Sequence, residues 1–355
     1  MSDEKRIRVA VNGYGVIGKR VADAVRAMPD MELVGVADVA TDWRIRTATG
    51  LGIPVFAATE DASTAMQAAG VPVAGTLGDL LGRVDAVVDS TPKKVAATNL
   101  GAYHRAGVKA VFQGGESHAS TGHSFVAQAN YATALGRDTT RVVSCNTTSI
   151  VRVLGALQDA ELLARARGVL IRRATDLGES HLGGIMNTMV PEASIPSHQG
   201  PDARTVRPDL DVVTIAAKAA HTQTHNHYWT LQLTRPASRE EVLDALRAAP
   251  RIAFIRMADG LVALNTTVEL MRDLGRPRGD MWEVALWEDV LSVDGDEAYL
   301  TYQVYNEAIV VPETIDAIRA LTGTVADGPT SIALTDEVLG MRQEFLPDRV
   351  HAMQG

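Results

Sequence analysis

Apolar residues in the first 150 positions come in short runs of strand length, separated by segments in which they recur at helical spacing. R-I-R-V-A-V-N (residues 6–12) is the first such run, followed by G-Y-G-V-I-G and then K-R-V-A-D-A-V-R-A-M, in which Val21, Val25 and Met28 share one helical face. A second run, M-E-L-V-G-V-A, ends at Asp38. Further runs follow near residues 84–92 (V-D-A-V-V-D-S-T-P), 109–115 (K-A-V-F-Q-G-G) and 140–145 (T-R-V-V-S-C), with the helix-like V-A-A-T-N-L-G-A-Y-H-R-A-G between two of them. Strands alternating with helices predict a parallel sheet. Ligands of such sheets collect at the carboxyl ends of the strands, so Thr91-Pro92, Gly114-Gly115 and Ser144-Cys145 are expected to face one crevice.

Beyond residue 150 the pattern changes. A-A-K-A-A-H through L-Q-L, R-I-A-F-I-R-M, M-W-E-V-A-L-W-E and A-Y-L-T-Y-Q-V-Y read as strands of an antiparallel sheet, with R-E-E-V-L-D-A-L-R and N-T-T-V-E-L-M-R-D-L as helices. The last apolar run, A-I-V-V-P-E-T-I-D-A-I-R-A-L, carries Pro312 at a helix start. The expected fold is α/β: a Rossmann dinucleotide-binding domain plus an α+β catalytic domain with a mostly antiparallel sheet.

Composition narrows this picture without redrawing it. A chain of 355 residues, 46% hydrophobic and 22% charged, is a globular protein long enough for two domains. The net charge of −9, with no long basic run, argues against a nucleic-acid surface. The opening M-S-D-E-K-R is too polar for a signal peptide, no apolar run approaches a membrane span, and a lone cysteine has no partner for an internal disulfide. A cytoplasmic location is therefore expected.

Gly13, Gly15 and Gly18 fill the G-x-G-x-x-G pattern between the first strand and the first helix. Gly13 permits the turn, Gly15 lets backbone approach a pyrophosphate, and Gly18 lets the helix pack on the strand, its N-terminal amides facing the phosphates. Asp38, 20 residues beyond Gly18, stands where one βαβ unit brings a carboxylate to an adenosine ribose. It would accept from the ribose hydroxyls and repel a 2′-phosphate, which favours NAD over NADP. Arg44 and Arg46 soften that preference.

The lone cysteine falls in V-V-S-C-N-T-T-S-I, where a strand gives way to a helix with Ile150, Leu154 and Leu157 on one side. Backbone amides at a helix start lower a thiol pKa, and Asn146, Thr147 and Thr148 supply caps and oxyanion donors, so Cys145 reads as a nucleophile rather than core filler. His221, His225 and His227 alternate along one expected strand and share a face, as bases for the thiol or, less well supported by matching ligands, as a metal site. Arg172 and Arg173 end another strand, and P-S-H-Q follows at 196–199.

N-G-Y-G-V-I-G-K-R, F-Q-G-G-E, V-V-S-C-N-T-T, R-R-A, V-P-E-A-S-I-P-S-H and I-V-V-P-E-T-I-D-A-I-R-A, in this order, resemble the archaeal-type glyceraldehyde-3-phosphate dehydrogenases over nearly the whole chain. The resemblance implies Cys145 as nucleophile, with Ser144 and Asn146 contacting substrate, and His225 as base with His227 in reserve. It places cofactor contacts on Val16, Ile17, Gly115, Arg173 and Asn306, and leaves His198, Gln199 and Arg172 as the groups expected to hold the phosphates. It implies domains at 1–144 plus 306–355 (nucleotide) and 145–305 (catalytic), and a homotetramer; no metal is expected, because no other motif offers ligands to match the histidines. Three positions depart from the family: His198-Gln199 where it often has His-His, Asn306-Glu307-Ala308 where it often has Gln-Glu-Ser, and Asp38 where it is frequently basic, which agrees with NAD. The implied reaction oxidises glyceraldehyde 3-phosphate with NAD(P) and inorganic phosphate to an acyl phosphate. A related cysteine dehydrogenase acting on erythrose 4-phosphate or a semialdehyde, or a dinucleotide sensor without turnover, are the alternatives.

Overall fold

In a computed structural model, residues 6–113, 115–176 and 188–346 are described. The chain divides into two compact units: residues 1–144 with 310–339, and residues 145–309 with 340 onward. In the first unit seven strands form one sheet: β1 (Ile7–Asn12), β2 (Met31–Asp38), β3 (Val55–Ala57), β4 (Ala86–Asp89), β5 (Lys109–Phe112), β6 (Ser124–Phe125) and β7 (Thr139–Val142). Their order is β3-β2-β1-β4-β5-β7-β6, and every pairing is parallel. Val9, Ala10 and Val11 of β1 are all fully buried, because helices cover both faces; hence the continuous apolar run instead of an alternating one. The order reverses beside β1, so the crevice at the carboxyl ends of β1 and β4 is the topological switch point.

The helix Val310–Thr322 belongs to this unit, and its polar anchors explain why. Gln113 Nε2 donates to Thr314 Oγ1 at 2.8 Å, Glu313 accepts from the Ala127 N–H at 2.6 Å, and the buried Arg319 guanidinium pairs with Asp30 at 2.7 Å. A buried arginine is tolerated only when paired; Asp316, Ser331 and Thr335 lie in the same network.

The second unit holds β8 (Leu163–Arg173), β9 (Met189–Pro191), β10 (Val212–Ala219), β11 (His225–Leu233), β12 (Ile252–Ile255), β13 (Val284–Trp287), β14 (Ser292–Asp294) and β15 (Glu297–Val304). They run β12-β13-β15-β11-β8-β10-β9 with β14 beside β15; β8 and β10, and β12 and β13, pair in parallel, and the remaining neighbours pair antiparallel. The sheet is mixed and mostly antiparallel. The helix Cys145–Asp159 buries Ile150, Val151, Val153, Leu154 and Leu157, each such side chain contributing about 1.5–3 kcal/mol on burial.

Two boundaries differ from those expected. Asn306–Ile309 stays with the second unit, where the buried Arg152 donates to the Ile309 carbonyl at 3.2 Å. The chain from Gly340 also returns there instead of closing the nucleotide domain: the Phe254 N–H donates to the Gln343 carbonyl at 2.7 Å, and the Arg342 N–H donates to Glu283 at 2.9 Å. Residues 347–355 lie outside the described residues.

Candidate active site

In the first unit the glycine turn behaves as its spacing predicts. Gly13 has φ +91°, and a Cβ there would sit 2.8 Å from the Ser90 carbonyl carbon. A Cβ on Gly18 would lie 1.8 Å from the Gly13 carbonyl oxygen, so only hydrogen fits where the helix Val16–Ala27 meets the turn. A cavity of about 720 Å³ opens beside the turn, lined among others by Gly13, Gly15, Asp38, Arg44, Thr91 and Pro92. Its place at the switch point, its glycine backbone and its carboxylate suit a dinucleotide. Val16 and Ile17 begin the helix, where N–H groups lack intrahelical partners.

Asp38 ends β2, and its carboxylate accepts from three backbone amides, of Tyr14 (2.6 Å), Val39 (2.7 Å) and Ala40 (2.8 Å). That clamp fixes the acid at the cavity wall. Arg44 is held by Asp42, which caps its helix, and Arg46 is turned to the carbonyls of Thr41 and Ala69. Both arginines are thus engaged within the protein. Of the crevice residues expected from topology, Thr91-Pro92 line the cavity, and Gly115 adjoins the β4 loop, its would-be Cβ 3.5 Å from Lys93 Cβ. Gly114 lies outside the described residues, and Ser144 ends the first unit.

In the second unit Cys145 opens its helix, partly exposed, as the strand-to-helix reading expects. Its ionisation departs from that reading. Burial pushes the thiol up, and Arg173, the Asn146 backbone N–H and Arg172 only partly offset it. The helix start holds the sulfur, but desolvation works against its ionisation.

His225 and His227 share the buried face of β11, and the structure separates them. His225 Nδ1 accepts from the Arg173 N–H at 3.0 Å, while its Nε2 has no hydrogen-bond partner among the described residues. Burial, followed by the charge of Arg173, holds this imidazole neutral and well below the usual histidine range. In this ring orientation Nε2 carries the hydrogen and acts as a donor; removing a proton requires the ring to turn over and release Arg173. His227 has both nitrogens engaged, Nε2 with Asn146 Oδ1 at 2.8 Å and Nδ1 with Tyr302 Oη at 3.0 Å, and burial lowers it to about 3. It is not free to exchange a proton with substrate. His221 lies ahead of the strand, its Nε2 against the Thr224 carbonyl.

Arg172 and His198 come together through a residue the sequence reading passed over. Glu192 accepts from Arg172 at 3.0 Å and from His198 Nδ1 at 2.6 Å, bridging the two. It sits in V-P-E-A-S-I-P-S-H, six residues before the histidine, and that spacing was its only signal. Gln199 is fully buried, with neither amide atom hydrogen-bonded to a described residue. The Arg173 guanidinium turns to the Thr175 carbonyl and Asp176, with Glu307 3.9 Å away. Asn306 follows β15 in a turn, half-buried.

A parallel sheet with a glycine turn and a carboxylate at its cavity in one unit, and a thiol with histidines and arginines in the other, define a class of protein: the nicotinamide-dependent oxidoreductases. Residues 144–274 match the family described as "Glyceraldehyde 3-phosphate dehydrogenase, C-terminal domain", and residues 7–147 match "Dihydrodipicolinate reductase, N-terminus". Glyceraldehyde-3-phosphate dehydrogenase of Metallosphaera sedula is 43% identical over 344 residues, covering 96% of this chain and 99% of its own. The enzymes of that name from Methanococcoides burtonii and Thermococcus kodakarensis are 42% and 43% identical, each over 95% of this chain and 99% of theirs. The chain belongs to the glyceraldehyde-3-phosphate dehydrogenase family, whose members use NAD(P).

Proposed function

We propose that the protein is a phosphorylating glyceraldehyde-3-phosphate dehydrogenase that works through a Cys145 thioester. The observation that carries this is the surroundings of Cys145: a thiol at a helix start, facing the Asn146 N–H and the charges of Arg172 and Arg173, the second of which gives its backbone N–H to His225 Nδ1. The Cys145 thiol gives its proton to solvent as the sulfur adds to the aldehyde carbon, and the carbonyl electron pair moves onto oxygen. His225 Nε2–H and the Asn146 amide donate to that alkoxide. Oxidised nicotinamide, when bound, would supply the hydride acceptor; the alkoxide pair re-forms the carbonyl as hydride leaves, so the acyl group stays on sulfur. Inorganic phosphate then attacks the thioester carbonyl, the Cys145 thiolate departs, and the acyl phosphate leaves.

Arg172, His198 and Gln199 are the groups we assign to the phosphates. Glu192 holds the first two in register, and the unpaired amide of Gln199 offers one donor and one acceptor. The glycine turn, Val16, Ile17 and Asp38 would hold the dinucleotide, with Gly115, Arg173 and Asn306 as further contacts; the clamped Asp38 supports NAD over NADP. A homotetramer is the assembly we assign, supported by the exposed apolar row Ile215, Val169 and Tyr228 on adjacent strands. Among the described residues no helix is long and apolar enough to cross a membrane. A reducing, cytoplasmic compartment suits a lone catalytic thiol.

The test is reduced-nicotinamide formation from glyceraldehyde 3-phosphate, run with and without phosphate and with NAD or NADP. Phosphate-dependent turnover preferring NAD is expected, with Cys145→Ser losing at least about 10⁴-fold. Retention of near-normal rates by that variant would sink the thioester mechanism. Faster turnover of erythrose 4-phosphate or a semialdehyde would reassign the substrate.

A further inference from the structure

We propose that His227 is a positioning residue that aims the side-chain amide of Asn146 at the forming alkoxide, and that Tyr302 sets the tautomer through which it does so. The inference rests on the dehydrogenase reading above. Three side chains form a hydrogen-bonded row: Tyr302 Oη, His227 Nδ1 at 3.0 Å, then His227 Nε2 and Asn146 Oδ1 at 2.8 Å. His227 is fully shielded from solvent, and Tyr302 is as well.

A row of this kind has two self-consistent polarities. In one, the tyrosine hydroxyl donates to Nδ1, Nε2–H donates to the carboxamide oxygen, and the Asn146 NH₂ is left outward. In the other every bond reverses: the amide NH₂ points inward at Nε2, and its oxygen faces out. The structure holds the first: Asn146 Oδ1, which can only accept, faces Nε2, so Nε2 carries the hydrogen and Nδ1 is bare. The buried Tyr302 hydroxyl donates to that bare nitrogen, and Ser149 Oγ, 3.5 Å from Oη, gives its hydrogen to the Asn146 carbonyl at 2.8 Å. The first polarity therefore satisfies every buried group in the row.

That choice has a chemical consequence one residue from the nucleophile. With its oxygen tied to His227, Asn146 presents its NH₂, which has no partner among the described residues, and the same residue's backbone N–H points at the Cys145 sulfur. An outward NH₂ stabilises an alkoxide formed on Cys145, whereas an outward carbonyl oxygen would repel it. His227 never touches substrate in this arrangement. It acts through Asn146.

The experiment is a double-mutant cycle on the full-length enzyme, using Tyr302→Phe and Asn146→Ala and reading the first-turnover burst of reduced nicotinamide beside the alkylation rate of Cys145 by iodoacetamide. Asn146→Ala is expected to slow the burst about 100-fold. Tyr302→Phe should slow it about 10-fold in the wild-type background and less than about 2-fold beside Asn146→Ala, because its effect passes through that amide. Alkylation should stay within about 2-fold throughout, since the thiol keeps its backbone and arginine neighbours. Equal losses from Tyr302→Phe in both backgrounds, or a parallel fall in alkylation, would show a structural role and overturn the proposal. If Tyr302→Phe does not fold, His227→Gln is taken through the same cycle with the same expected non-additivity. Absence of phosphate-dependent turnover in the wild type would instead overturn the dehydrogenase reading itself.

Discussion

Cys145 shows how a residue's place in the fold can be read from its neighbours in sequence while the burial that acts on its ionisation cannot. The strand-to-helix junction was legible from S-C-N-T-T, and the thiol is there, but desolvation raises its pKa where the helix start alone would lower it. Burial disfavours the charged form of both Cys145 and His225, so desolvation works against a resting ion pair. Alkylation of Cys145 should therefore accelerate continuously as pH rises through and beyond the ordinary thiol range. Arg173→Gln, which removes the largest favourable charge, should push the midpoint higher and slow the reaction at pH 8. A rate already level from pH 6 upward would show a preformed thiolate and contradict this account. The choice between His225 and His227 was not legible either. Alternation along a strand puts both on one face, and only the partners of each nitrogen tell them apart.

At the scale of elements, the long strands and the glycine turn were read well because their signals are local. Gly18 has the sharpest consequence: a methyl group there meets the Gly13 carbonyl at 1.8 Å, so the helix Val16–Ala27 must move away from β1. Gly18→Ala should weaken NAD binding by at least about 100-fold and destabilise the protein by about 1–3 kcal/mol, as overpacking does. Calorimetric titration and denaturant unfolding measure the two losses. NAD affinity unchanged in Gly18→Ala would remove the turn from the cofactor site. The short strands β3, β6 and β9, of three, two and three residues, escaped the sequence reading. Pieces that short carry no periodicity, and they exist because a neighbouring strand offers its edge.

At the scale of the whole molecule, buried histidines tie stability to pH. His123, bonded to Thr140 and Thr133, is lowered to about 4, His227 is lowered to about 3, and His221 and His225 shift the same way, burial being the first cause in each. Their folded pKa values lie below the unfolded value of about 6.5, so the unfolded chain binds more protons in the interval between. Stability is complete above pH 6.5 and falls as the pH drops below it, by at most about 1.4 kcal/mol per pH unit for each fully buried histidine. The urea midpoint is expected to hold from pH 8 to 7 and to decline steadily from 6.5 to 5. A midpoint that stays flat down to pH 5 would show that these rings protonate without cost. The domain boundary at Gly340 belongs to this scale too, since the last described residues bond to β12, almost 90 positions earlier.

The sequence by itself determined the two kinds of sheet, the glycine turn, the lone cysteine at a strand-to-helix junction and the family, because each is written in residues close together along the chain. Tertiary structure alone decided which histidine keeps a free nitrogen, that Glu192 ties Arg172 to His198, which end of Asn146 faces outward, and where the chain leaves the nucleotide unit for good. Those outcomes depend on hydrogen-bond partners and desolvation contributed by residues distant in sequence, and a linear pattern has no means of expressing them.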